Sequence, residues 1–208
     1  MGTTLNRMLR YGVIAVVRMQ TQRDAAQAIE AIVRGGISVV EVTWTTPNAS
    51  ALLQEAAQTP NVIAGAGTIL TLEDVEVAAA AGAAFVASPM LDTRIIERTA
   101  QHGLVSMAGG GTPTEILAAW RAGADLVKIF PMLPDPVKHI TTLRGPFPDI
   151  RFAPSGGITD RTAGPLLQAG AAILNVGSWL THNPDGSVSS PAVITERAQA
   201  LMKSVRGE

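Results

Sequence analysis

Eight times along the chain, a short β-branched apolar run gives way to a turn and then to an Ala/Leu-rich amphipathic stretch. The runs are Val13–Arg18, Ile37–Thr43, Val62–Ala66, Phe85–Ala87, Leu104–Met107, Leu126–Phe130, Ile150–Ala153 and Ala172–Val176. Helical periodicity fills Arg23–Arg34, Asn48–Ala57, Leu72–Ala81, Thr93–Gln101, Thr114–Ala122, Pro136–Leu143 and Thr162–Gln168, with a last helix from Ala192 to Val205. Strands that alternate with helices must run parallel, joined by right-handed crossovers. Glycines follow several helices, as in Ala122-Gly123, and Thr71 and Thr112 stand three residues before Asp74 and Glu115, the spacing of a helix start. The pattern predicts a (β/α)8 TIM barrel, a single domain over residues 1–208 with a short N-terminal helix. A doubly wound open sheet is the alternative.

In such a barrel the active site lies at the C-terminal ends of the strands. The polar residues of this chain gather there. Lys128 interrupts the apolar run Leu126-Val127-Lys128-Ile129-Phe130-Pro131, and it is one of only three lysines against thirteen arginines. Desolvation among Val, Ile and Phe disfavours the ammonium form. A neutral amine is a nucleophile able to form a Schiff base with a carbonyl. The competing reading is a strand-end lysine that snorkels to water. Glu41 lies inside Val39-Val40-Glu41-Val42-Thr43. A carboxylate in an apolar strand is costly unless paired, so it is either a general acid/base or half of a structural ion pair. Arg18 closes the first run with a planar fork suited to a carboxylate or phosphate, unless it is merely solvated. Gly156-Gly157 and Gly177-Ser178 follow the seventh and eighth runs, where barrels bind phosphate through backbone N–H groups. Trp44, one residue past Thr43, is expected to line the mouth of the site.

Composition narrows the function classes. A net charge of −1 with dispersed arginines points to neither nucleic acid nor an anionic membrane. No apolar stretch is long enough to span a bilayer, and the first eleven residues lack the apolar run of a signal peptide. The chain has no cysteine, so it offers neither a disulfide nor a thiolate metal site, which suits the cytoplasm. Its histidines, His102, His139 and His182, are widely spaced and lack a carboxylate at metal-ligand spacing, so no metal is expected.

Taken in order, Glu41-Val42-Thr43, Gly65-Ala66-Gly67-Thr68, Ser88-Pro89, Thr112-Pro113-Thr114-Glu115, Val127-Lys128-Ile129-Phe130-Pro131, Pro154-Ser155-Gly156-Gly157-Ile158 and Gly177-Ser178-Trp179 resemble the class I pyruvate aldolases of the KDPG/KHG family. The resemblance runs from Val13 to Leu180. It implies that Lys128 is the Schiff-base lysine and that Glu41 handles protons. It implies further that Thr68 and Arg18 hold the pyruvate-end carboxylate, and that Thr43, Pro89, Phe130 and Ser155 line the substrate pocket. One branch of the family carries its carboxylate arginine in a Leu-Arg-Thr segment after Glu-Val-Thr. This chain has Trp44-Thr45-Thr46 there, and its arginine stands at the end of the first strand instead. Ser155 replaces a frequent threonine, and Ala108-Gly109-Gly110-Gly111 replaces a frequent Pro-Gly. Both departures bear on which sugar acid is preferred. The resemblance implies a 2-keto acid substrate, pyruvate as product, no cofactor and a homotrimer. The competing classes are a sugar-phosphate isomerase or epimerase on the same barrel, and a non-catalytic barrel.

Overall fold

The structure is a computed structural model and describes residues 2–208. A first helix, α1 (Gly2–Tyr11), turns through Gly12 into β1 (Val13–Val17). There follow α2 (Gln22–Arg34), β2 (Val39–Thr43), α3 (Ala49–Gln58), β3 (Ile63–Gly67), α4 (Leu72–Ala80) and β4 (Phe85–Ala87). The second half continues with α5 (Thr93–Gln101), β5 (Val105–Gly110), α6 (Pro113–Arg121), β6 (Leu126–Ile129), α7 (Pro136–Arg144) and β7 (Phe152–Pro154). It ends with α8 (Asp160–Gln168), β8 (Leu174–Val176), the short α9 (Ser178–Thr181) and α10 (Pro191–Arg206).

All eight strands are parallel, in the order β7-β6-β5-β4-β3-β2-β1-β8. The seam between β7 and β8 closes through two isolated bridges, Phe152 with Ala171 and Ser155 with Asn175. The amide of Ala172 donates to the carbonyl of Phe152 at 2.8 Å. The expected barrel is therefore the fold. The strands are buried on both faces, as parallel strands covered by helices must be. Their outward residues join the helix faces in one large core. Their inward residues form a second, smaller core with Met8 of α1, which stoppers the N-terminal end. Among the described residues no helix is long and apolar enough to cross a membrane.

Local chemistry sets the boundaries. Thr71 and Asp74 form a reciprocal capping box at α4, as Thr112 and Glu115 do at α6. Gly123, after α6, takes φ 92°, which an L side chain resists. The largest difference from the sequence reading is β5. Gly109 and Gly110 lie beyond the expected run Leu104–Met107, yet they pair with Lys128 and Ile129 and extend the strand to Gly110. Glycine is needed there for packing. A Cβ on Gly109 would run into the Pro89 backbone, and one on Gly110 would lie 3.0 Å from the Ile116 amide nitrogen.

Candidate active site

The site begins two residues above the apolar stopper. On β2, Glu41 points into the barrel with no exposed surface. It fits because Gly65, its register neighbour on β3, and Gly67, two residues further along, contribute no side chains. The Phe85 ring fills the space beside Gly65, and the Glu41 carboxylate lies where a Cβ of Gly67 would be. From the opposite wall, Lys128 on β6 reaches across the interior. Its Nζ stands 3.6 Å from Glu41 Oε1, and its side chain is 8% exposed. Among the described residues neither Glu41 oxygen has a hydrogen-bond partner. A buried carboxylate served by one ion pair and no donor is costly for stability, and such arrangements concentrate at functional sites.

Above this pair opens a cavity of about 540 Å3. Lys128 forms part of its floor, and Arg18, Thr68, Pro89, Phe130, Ser155, Gly156, Gly157, Gly177 and Ser178 line it. On one side, the Arg18 guanidinium donates to Thr45 Oγ1 at 2.6 Å and to Thr68 Oγ1 at 2.8 Å. Thr68 holds φ at 60°, a left-handed conformation that costs a β-branched residue about 1–3 kcal/mol. Strain of this kind persists where the surroundings dictate it, and here it turns the Thr68 hydroxyl to the arginine. On the other side, Gly156 and Gly157 have φ of 116° and 66°, with no atom near their missing Cβ positions. Backbone amides can thus approach a ligand closely. Gly177 leads into the first turn of α9.

These features bring the sequence to known proteins. The model of the KDPG and KHG aldolase family matches residues 5–190. The chain belongs to the KDPG and KHG aldolase family. It is an aldolase, a carbon–carbon lyase. It is 32% identical over 210 residues to the 2-dehydro-3-deoxy-phosphogluconate aldolase of Treponema pallidum, covering 99% of each chain. The 2-keto-3-deoxy-6-phosphogluconate aldolase of Zymomonas mobilis ZM4, solved with 3-phosphoglycerate, superposes with a TM-score of 0.84 at 27% identity, over 95% of this chain and 94% of that one. The KDPG aldolase of Legionella pneumophila, with pyruvate captured at low pH as a covalent carbinolamine intermediate, superposes with a TM-score of 0.82 at 28% identity, over 96% and 98%.

Within this aldolase, two sequence expectations need correction. Trp44 does not line the mouth. Its amide is tied to the Gly67 carbonyl at 2.8 Å, and its ring packs on the outer core, because the step past the strand end turns it outward. Thr43 is fully buried and is not among the residues lining the cavity. Its hydroxyl lies 3.2 Å from both Thr45 Oγ1 and Thr46 Oγ1, so it supports the residue that Arg18 touches. Thr45 itself stands in the segment where the other branch has its arginine.

Sequence reasoning missed several lining residues, among them Gln20, Asn175, Thr181 and His182. Asn175 could have been found by the argument that found Glu41, because it is a polar residue alternating with Ile173 and Gly177 on an inward strand face. The sequence weighs His182 only as a metal ligand. In the structure α9 carries it, four residues after Ser178, to the cavity wall, where Nδ1 lies 2.9 Å from Thr181 Oγ1.

Proposed function

We propose that the protein is a class I pyruvate aldolase that cleaves 2-keto-3-deoxy-6-phosphogluconate, or a close epimer, to pyruvate and glyceraldehyde 3-phosphate. Lys128 Nζ attacks the C2 carbonyl, and loss of water leaves an iminium. Glu41, through a water, takes the proton of the C4 hydroxyl. The C3–C4 electron pair flows into the iminium, and the aldehyde leaves. The enamine is protonated at C3, and hydrolysis releases pyruvate and frees Lys128. The covalent iminium is itself the electron sink, so the route requires no organic cofactor and no metal.

The observation that carries this reading is the buried Lys128–Glu41 pair at the floor of the cavity above the barrel core. Arg18 and Thr68 suit the pyruvate carboxylate, and the amides around Gly156, Gly157, Gly177 and Ser178, which line the same cavity, suit a distal phosphate. A shorter substrate, 4-hydroxy-2-oxoglutarate, cleaved to pyruvate and glyoxylate, offers only a second carboxylate at that end. The assembly we propose is a homotrimer in the cytoplasm. Family membership, the cysteine-free sequence and the exposed apolar residues Leu70 and Leu133 on the loops after β3 and β6 support it. Light scattering at micromolar concentration tests it, and a monomer mass contradicts it. The test of the chemistry is borohydride reduction in the presence of pyruvate. It should inactivate the enzyme and add the mass of reduced pyruvate to Lys128. Active, unlabelled protein after that treatment sinks the mechanism.

A further inference from the structure

We infer that Asn175 is a specificity-determining residue whose side-chain carbonyl accepts a hydrogen bond from the hydroxyl of the aldehyde half of the substrate, an inference that rests on the aldolase reaction proposed above. Asn175 lies on β8, is 1% exposed and lines the same cavity as Lys128. Its Nδ2 donates to the carbonyls of Ala153, at 3.1 Å, and Pro154, at 3.3 Å. These bonds stitch β7 to β8 where the backbone ladder is reduced to isolated bridges. They also decide the orientation of the amide, because the reversed rotamer would set Oδ1 against two carbonyl oxygens. Oδ1 is therefore held on the other side of the group. It is buried and has no hydrogen-bond partner among the described residues.

An acceptor with no proton of its own repels carboxylate and phosphate oxygens, so its complement is an O–H or N–H donor. Lys128 Nζ is directed across the barrel to Glu41. Along β8, Asn175 and Gly177 share a face, with Asn175 one step deeper. Ala153, the register neighbour of Lys128, lies between Lys128 and Asn175 and offers only a methyl group. A substrate bonded to Lys128 and reaching the amides at Gly177 must pass Asn175. The carbons it presents there are those between the Schiff-base carbon and the distal anion. The hydroxyl of the aldehyde half is the donor they carry that is not consumed in bond cleavage.

The test compares two aldehydes in the synthetic direction with pyruvate. One is glyceraldehyde 3-phosphate, and the other is the same phosphorylated aldehyde lacking its hydroxyl. Leaving a buried acceptor unpaired should give the full-length wild-type enzyme a preference in kcat/KM for the hydroxylated aldehyde of about tenfold to a hundredfold. Asn175→Leu should abolish that preference by slowing the hydroxylated aldehyde alone, while borohydride trapping of pyruvate stays at the wild-type rate. Asn175→Ala removes the acceptor without adding bulk and should behave in the same way if the leucine variant folds poorly. Equal use of both aldehydes by the wild type overturns the inference. So does a variant that slows both aldehydes and pyruvate trapping together, because Asn175 would then act only on the seam or on Lys128. A wild type that traps no pyruvate overturns the reaction assignment and this inference with it, whereas intact trapping with equal aldehyde use overturns this inference alone.

Discussion

At the N-terminal end of the barrel, Ile14, Val39, Leu126 and Ile173 fill the interior without a polar side-chain atom. Two residues further along the same strands stand Val16, Glu41, Lys128 and Asn175. The step of two keeps the inward direction, so one set of strands carries both layers. The lower layer obeys the rule for interiors, with close-packed apolar side chains in contact all round. The upper layer breaks it, with a carboxylate lacking any hydrogen bond and an amide carbonyl left unpaired. The barrel tolerates the upper layer because the lower one supplies the packing. Function is written where the stability rules are suspended.

This division can be attacked from either layer. Lys128→Ala should have the largest effect, removing nearly all turnover while the far-ultraviolet spectrum and melting curve remain those of a folded barrel. An active variant would leave Lys128 as a structural partner of Glu41. Glu41→Gln should slow turnover by about 10²–10⁴-fold, the usual range for a positioned acid/base. Wild-type rates in steady-state assays would return Glu41 to the structural ion pair. In the lower layer, Phe85→Ala should cost about 3–5 kcal/mol of stability by denaturant titration, because the ring is fully buried beside Gly65. Turnover of the folded fraction should be close to normal, and a collapse of turnover would show that the two layers are not separable.

A smaller effect concerns the distal wall. Binding energy from a remote phosphate positions the reacting carbons. kcat/KM for the phosphorylated substrate should therefore exceed that for its unphosphorylated analogue by at least about tenfold, or about 1.4 kcal/mol. Equal values would remove the phosphate site and favour a short keto acid. The smallest effect lies outside both layers. Burial lowers the pKa of His139 on α7, and its Nδ1 has no partner among the described residues. A base whose folded value is depressed binds fewer protons folded than unfolded, so its contribution to stability is present above about 6.5 and is lost as pH falls toward the folded value. Denaturant midpoints should fall less steeply with acid in His139→Gln than in the wild type. Parallel curves would show that His139 is not a source of the acid sensitivity.

What was legible in the sequence follows from short-range rules. The order of eight strands and their helices, the capping boxes at Thr71 and Thr112, and Lys128 and Glu41 as polar residues in apolar strands all depend on alternation, helical period and the cost of a buried charge. These act within a few residues, so a sequence displays them. Tertiary structure alone decided the rest. The seam between β7 and β8 is closed by Asn175, a bond between residues 22 positions apart whose partner is a backbone carbonyl and leaves no trace in composition. Thr43 passed from substrate pocket to support, and Trp44 from the mouth to the outer core, because the turn after β2 set their directions. Gly109 and Gly110 fell outside the expected strand because a glycine's local meaning is flexibility. Their role is to admit the Pro89 backbone and the start of α6, and the need for space is set by neighbours that are distant along the chain until the barrel closes.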